Sequence, residues 1–290
     1  MKASSPARET IRLGLVGDNI ARSQSPRLHR IAGRLCGLDV TYDRLVPADL
    51  GRDFDAVFAA CGKRGYRGLN VTYPYKERVV SKLAVNDPVL RAMAACNTVV
   101  FDAPTPAGFN TDHTGFIAAF RTVFGNAGPG AVAMAGTGGV GRAIGFALGR
   151  LGASELRLFD RDRPKAVALA SALASVFQGL RVEIAGTVAD AASGADGLVN
   201  CTPLGMDGHG GTAIPQSVIG SQSWAFDAVY TPVETAFIRD ARAAGLAVMS
   251  GYELFFHQGA DAFDIFTGCK VDREALRQEL LKSAPASDEE

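Results

Sequence analysis

Apolar runs of strand length alternate along this chain with stretches of helical periodicity. Residues 11–16 are apolar except for Arg12 and stop at Gly17, which predicts a buried first strand. Leu28, Ile31 and Leu35 then recur at helical spacing behind Ser25 and Pro26, a good N-cap and first-turn pair. Residues 40–46 predict a second strand, 54–61 a second helix and 66–72 a third strand. Pro74 would fit the first turn of a helix running on through Lys76, Val79 and Val80, because it pre-sets φ and lacks only an orphan N–H. The resulting β-α-β-α-β-α order is the pattern of a parallel sheet covered by helices. A helical segment to about Ala95, a strand over 96–101, a turn at Pro104 and Pro106 and a helix bearing Phe116, Ile117 and Phe120 follow.

Gly128-Pro129-Gly130 is a natural boundary between two units. Beyond it the alternation resumes. Strands are predicted at 131–135, 155–159, 182–184, 197–199 and 225–229, with a short apolar segment at 247–249. Helices are predicted from 143, over 166–177 and 237–244, and over 252–266. His257 reads as a surface or core-edge side chain. The tail from Ser283 is small and charged and is expected to fray. The class is α/β in two domains.

Composition narrows what such a protein does. The chain has 290 residues, too many for one small core. Lys+Arg and Asp+Glu balance at 30 each, so charge gives no argument for a nucleic acid or an anionic membrane. The first ten residues lack an apolar core of signal-peptide length, and no run approaches a membrane span. The five cysteines are scattered without a Cys-x-x-Cys pair, which fits reduced thiols in a cytoplasmic protein. The four histidines have no metal-ligand spacing, and no structural metal is expected.

Candidate chemistry gathers around Gly68-Leu-Asn-Val-Thr-Tyr-Pro-Tyr-Lys76. Asn70 and Thr72 are two apart on a strand and share a face, and Lys76 follows in the next turn. A single such lysine is more often solvated than functional, so its neighbours decide. Ser23 is not needed to cap the helix that Ser25 begins, which leaves a pair of hydroxyls at a strand's carboxyl end as a candidate ligand site. Asn110, Thr111 and Asp112 are each able to cap the following helix; Asp112 is the one also able to meet Lys76 and hold it charged if the strand ends converge.

Gly136, Gly138 and Gly141 satisfy Gly-x-Gly-x-x-Gly between an apolar strand and a helix, the setting in which that motif is informative. Its glycines permit a tight turn and let a pyrophosphate reach backbone N–H groups at the helix N-terminus. A second strand ends at Asp160, nineteen residues after Gly141, where a carboxylate would accept from ribose hydroxyls and repel a 2′-phosphate. Arg161, Arg163 and Lys165 pull the other way. With Asp160 at the strand tip, NAD is preferred and NADP tolerated.

Together the strings Ser-Gln-Ser-Pro-x-x-His, Asn-Val-Thr-x-Pro-x-Lys, Asn-Thr, Gly-x-Asn-Thr-Asp, Gly-x-Gly-Gly-x-Gly, Asn-x-Thr-Pro-x-Gly-Met, Tyr-x-Pro and Gln-x-x-x-Ala-Phe resemble the shikimate dehydrogenase family, which includes quinate/shikimate dehydrogenases. The resemblance runs from about Leu13 to Gly268. It implies an N-terminal α/β substrate domain (1–112, completed by helices in 251–290), a Rossmann-type dinucleotide domain (113–250) and an active site in the cleft between them. Lys76 resembles the catalytic lysine and Asp112 its partner. Ser23, Ser25, Asn70, Thr72, Asn97 and Gln258 match positions that hold the substrate's carboxylate and hydroxyls, and Tyr230 a tyrosine near the substrate. Gly136, Gly138, Gly139, Val140, Gly141, Asp160 and Arg161 match the dinucleotide site; Thr202, Gly205, Met206 and Gly251 would line its nicotinamide end.

The implied reaction is NAD(P)-dependent interconversion of 3-dehydroshikimate and shikimate, with quinate as a further substrate, by a monomer or homodimer. Ser25, where quinate-preferring relatives tend to carry threonine, favours shikimate. Arg22, where many relatives have histidine, and Asp160 also suit an NAD-linked paralogue acting on quinate or an amino analogue. A non-catalytic sensor of nucleotide and cyclohexane acid is the rival of another class, against which intact Lys76 and Asp112 count. An NADP-linked methylene-tetrahydrofolate dehydrogenase shares the architecture, but the Ser-x-Ser-Pro and Gln258 positions fit it poorly.

Overall fold

The computed structural model describes residues 10–282. The charged N-terminal stretch before them and the tail from Ser283, expected to fray, lie outside the described residues. In chain order the elements are β1 (Ile11–Val16), α1 (Ser25–Leu35), β2 (Val40–Leu45), α2 (Phe54–Lys63), β3 (Gly68–Val71), a 3-10 helix (Arg78–Lys82), α3 (Pro88–Met93), β4 (Thr98–Val100) and β5 (Ala107–Phe109). Then follow α4 (Thr111–Phe124), β6 (Ala131–Ala135), α5 (Gly139–Arg150), β7 (Glu155–Phe159), α6 (Arg163–Val176), β8 (Arg181–Ile184), α7 (Val188–Ala192) and β9 (Gly197–Asn200). After a short 3-10 helix (Gln216–Val218) come β10 (Trp224–Asp227), α8 (Ala236–Ala243), β11 (Ala247–Met249), α9 (Gly251–Thr267) and α10 (Arg273–Leu281), the last among the described residues.

The chain forms two compact units. Among the described residues, one takes those through Ala84, Asn97–Gly108 and those from Gly259 to Lys282; the other takes Val85–Cys96 and Phe109–Gln258. The Gly128–Pro129–Gly130 turn falls inside the second unit, where it joins α4 to β6.

The first unit holds a five-stranded sheet in the order β2-β1-β3-β4-β5. β1 pairs with β2 and β3 in parallel, as the alternation predicts. The parallel order ends there, because β4 lies antiparallel to β3, with Asn70 opposite Thr98. Leu13, Leu15, Tyr42, Val100, Ala262 and Phe266 form a core, so the end of α9 supplies two of its residues. Helix α10 was not legible in the periodicity. It is mostly polar, and its formation rests on Asp272 capping the N–H groups of Glu274 and Ala275 and on burial of Leu276 and Leu280. Arg27 donates to the Leu280 and Glu279 carbonyls at its other end.

The second unit holds a six-stranded, wholly parallel sheet in the order β11-β10-β9-β6-β7-β8. The order reverses between β6 and β9, the topological switch point of a Rossmann-type fold. Val132 and Met134 of β6 enter one apolar cluster and Ala133 and Ala135 another. Both faces are therefore covered, which is why these strands read as continuous apolar runs. No helix among the described residues is long and apolar enough to cross a membrane.

Candidate functional site

In the first unit the polar side chains picked out above sit at the carboxyl ends of β1 and β3. Ser23 is buried; its hydroxyl donates to Ser25 Oγ at 3.1 Å and accepts from the Ser25 N–H at 3.3 Å. Ser25 is not the N-cap expected of it. Leu28 N–H donates to the Gln24 carbonyl, which starts the helix one residue earlier and makes Ser25 its first residue, with no cap from the Gln24 side chain. The hydroxyl pair therefore stands at the N-terminus of α1, with Ser23 Oγ accepting from its first N–H.

Asn70 is buried in β3, and both ends of its amide are held. Its Oδ1 accepts from Tyr42 Oη at 2.9 Å, and its Nδ2 donates to the Asn97 carbonyl at 3.3 Å and Thr98 Oγ1 at 3.2 Å. Thr98 Oγ1 in turn donates to Asn97 Oδ1 at 3.0 Å. Tyr42 and Thr98, which sequence reasoning missed, thus fix the orientation of both amides. His29, from the same string as the serines, is buried and stacks on Tyr42 at 4.7 Å. Burial pushes its imidazole down to about 3, so it is neutral.

The residues after β3 depart from the expected helix. Tyr75 N–H donates to the Thr72 carbonyl and closes a turn, and Val79 N–H is the first to reach back four residues, to Tyr75. The 3-10 helix begins only at Arg78. Lys76 therefore lies in the turn, not on a helix, and only 8% of it is exposed. Thr72 is half-buried just past the end of β3.

In the second unit, the backbone at Gly136 has φ +93°, where glycine is favoured. A Cβ on Gly141 would lie 2.2 Å from the Gly136 carbonyl oxygen, so this turn cannot close around a side chain. At Gly138, the N-cap of α5, a Cβ would meet nothing within 4 Å, and no side chain caps the helix. Gly139, Val140 and Gly141 follow as its first turn. An open glycine edge at an uncapped helix N-terminus fits a pyrophosphate. Asp160 Oδ2 accepts from Thr137 N–H and Oγ1, each at 2.7 Å, and its Oδ1 accepts from Asp162 N–H at 2.9 Å. Burial opposes its charge, but these bonds and nearby Lys165 outweigh it and hold the carboxyl below its ordinary value. Asp160 thus fastens the glycine loop to the tip of β7 and keeps acceptor capacity for a ribose hydroxyl. Arg161 beside it is exposed.

Beyond β9, Asn200 Oδ1 accepts from Thr202 N–H and Oγ1, which shapes the loop through Gly205 and Met206. Asn200 Nδ2 donates to Asp227 Oδ1 at 2.9 Å, and Thr235 Oγ1 donates to Asp227 Oδ2 at 2.6 Å. Asp227 is fully buried, and burial pushes it up to about 6 against the hydrogen bonds from Thr235, Val229 N–H and Asn200. The apolar pattern read straight through it as part of a strand; a carboxylate ending such a run was the available signal. A carboxyl whose folded pKa is raised contributes stability below its ordinary 3.8 and loses it as pH rises through about 6. Asp227→Asn is therefore expected to gain Tm relative to the wild type between pH 4 and 7. A pH-independent offset between the two melting curves would remove the buried charge from the account.

Helix α9 starts at Gly251, where a Cβ would lie 2.4 Å from the Val229 carbonyl oxygen. Tyr230 stacks on Phe255 at 5.0 Å. Gln258 Oε1 faces Thr111 Oγ1 at 3.5 Å, and its Nε2 donates to the Phe255 carbonyl. Asn110 caps α4 through His113 N–H, so Asp112, buried in the first turn, is not needed as the cap. Within this unit Gln258 and Thr111 meet, as do the glycine loop and Asp160. Lys76 belongs to the first unit and Asp112 to the second. Among the described residues no cluster of His, Cys, Asp and Glu could hold a metal.

Comparison with known proteins follows the same outline. Residues 15–99 match the shikimate dehydrogenase substrate binding domain, and residues 251–281 match the shikimate 5'-dehydrogenase C-terminal domain. The quinate/shikimate dehydrogenase (NAD(+)) of Corynebacterium efficiens is 36% identical over 280 residues, 94% of this chain and 98% of the relative. The shikimate dehydrogenase (NADP(+)) of Streptomyces avermitilis is 38% identical over 279 residues, 94% of this chain and 95% of the relative. Among solved structures, the quinate dehydrogenase from Corynebacterium glutamicum in complex with NAD superposes with a TM-score of 0.85 at 34% identity, covering 94% of this chain and 99% of the other. The shikimate 5-dehydrogenase from Thermus thermophilus in complex with NADP(H) and shikimate gives a TM-score of 0.80 at 31% identity, covering 92% and 97%.

Proposed function

The chain belongs to the shikimate dehydrogenase family, and from that premise we propose that it interconverts 3-dehydroshikimate and shikimate, and also oxidises quinate, as an NAD(P)-dependent oxidoreductase. The observation that supports the site assignment is Lys76, withdrawn from solvent in the turn after β3, the strand whose Asn70 is held by Asn97 and Thr98. Gly136 to Gly141 would hold the pyrophosphate and Asp160 a ribose, with Thr202, Gly205, Met206 and Gly251 toward the nicotinamide. When bound, the nicotinamide supplies or accepts the hydride.

The protein's own part is binding and proton transfer. Ser23 and Ser25, at the positive end of α1, take the substrate carboxylate. Asn70, Thr72, Asn97, Gln258 and Tyr230 position the ring and its hydroxyls. As ketone becomes alcohol, negative charge grows on oxygen. Lys76 stabilises that charge and delivers the proton, with Asp112 as its acid–base partner. Five thiols, none of them in a disulfide, support a reducing, cytoplasmic setting.

Asp160 at the tip of β7 supports NAD over NADP, since a carboxylate there repels a 2′-phosphate. The test is kcat/KM for shikimate and quinate with each cofactor. NADH formation with shikimate is expected, with NAD favoured. A preference for NADP of about ten-fold or more, equivalent to about 1.4 kcal/mol, would overturn the cofactor assignment. Absence of turnover with either acid would overturn the substrate assignment.

A further inference from the structure

One contact of the first unit serves none of these roles, and it involves the residue immediately before Lys76. Tyr75 Oη donates to Asp18 Oδ1 at 3.0 Å. The same Asp18 donates its backbone N–H to the Tyr73 carbonyl at 2.9 Å. One aspartate therefore grips the turn twice, once from its main chain and once from its carboxylate. The Tyr75 ring stacks on Phe54 at 4.5 Å with an interplanar angle of 12°, and Phe54 is fully buried at the start of α2. The tyrosine is held at its ring and at its hydroxyl, which leaves its main chain little freedom.

The two ends of this clasp carry different parts of the site. Asp18 opens the loop from β1 that leads to Ser23 and Ser25. Tyr75 N–H closes the turn on Thr72, and the Tyr75 carbonyl accepts from Val79 N–H as the 3-10 helix begins. Lys76 sits between those two backbone bonds, so its direction follows from where Tyr75 is fixed. Burial and the hydrogen bond to Asp18 raise the Tyr75 phenol above its ordinary value, which keeps it a neutral donor.

We propose that Asp18 and Tyr75 are a positioning pair, setting Lys76 in register with the loop that carries Ser23 and Ser25. The inference rests on the role proposed for Lys76, and it predicts coupling. Tyr75→Phe keeps the stacking on Phe54 and removes only the hydroxyl; Asp18→Ala keeps the backbone bond and removes the carboxylate that accepts from that hydroxyl. Each is expected to lower kcat with shikimate by about ten-fold, the scale of a hydrogen bond to a charged group, without changing the KM for the dinucleotide. The double variant should lose no more than either single one, because both changes break the same contact.

Acetylation of Lys76 by acetic anhydride, followed by mass spectrometry, reads its placement without requiring turnover. The labelling rate at Lys76 is expected to rise about three-fold or more in each single variant and no further in the double, as for one shared hydrogen bond. Labelling at Lys82, on the 3-10 helix that follows, should stay constant. Unchanged labelling of Lys76 in both single variants would overturn the proposal, as would effects that multiply in the double variant or an equal rise at Lys82. A wild type inactive toward shikimate and quinate would overturn the proposed function instead, and the labelling result would still decide the positioning role.

Discussion

Lys76→Ala is expected to lose at least about a hundred-fold in kcat with shikimate while the KM for the dinucleotide stays within about two-fold, the pattern of an interaction made in the transition state. The size follows from the role. A positioned acid contributes roughly 10²–10⁴-fold, and none of the other side chains proposed around the ring is a cation. The location supports the role, because Lys76 is only 8% exposed and sits in a turn held by backbone bonds on both sides. Lys76→Arg separates the two tasks of the ammonium. Arginine keeps the charge but does not give up a proton near neutral pH, so it should rescue little if proton delivery dominates. Near-normal kcat in Lys76→Ala would take this residue out of the mechanism. Substantial rescue by arginine would leave it a purely electrostatic one.

How legible this site was depends on what each residue does for the backbone. The glycine loop could be read because its spacing is a steric requirement: Gly136 needs positive φ and Gly141 must meet a carbonyl oxygen. The strands of the second unit could be read because both faces of the sheet are covered. The turn at Lys76 could not, since a proline fits a helix start and a tight turn equally well from composition alone. Ser25 was misplaced by one residue for a similar reason, because a Ser-Pro pair fits both N-cap and first-turn positions. Tyr42, Thr98 and Asp227 were missed because each sits in a strand-like run. Tyr42 and Thr98 each lie 28 residues from their partner Asn70, and Asp227 lies 27 from Asn200. Long-range pairing of this kind leaves no local pattern.

Two substitutions in the glycine loop are expected to separate its architecture from its ligand. In Gly141→Ala the new methyl would fall 2.2 Å from the Gly136 carbonyl oxygen and 2.9 Å from its carbon. Backbone stands on both sides of that contact, so the first turn of α5 must move away from the loop. Misplacement of about 1 Å can cost about 10²-fold in catalysis, and kcat/KM for the dinucleotide should fall on that order. The overpacking should also lower stability by about 1–3 kcal/mol. Gly138→Ala differs, since its methyl would enter open space at a residue with φ −71°. That variant should melt like the wild type and still lose about ten-fold or more in dinucleotide affinity, the scale of one hydrogen bond to a charged group made by a helix N-terminus. Calorimetric titration with NAD beside thermal melting reads both quantities. If Gly138→Ala binds as tightly as the wild type, the pyrophosphate does not approach this edge, and the loop's glycines serve only the packing of α5 against β6 and β9.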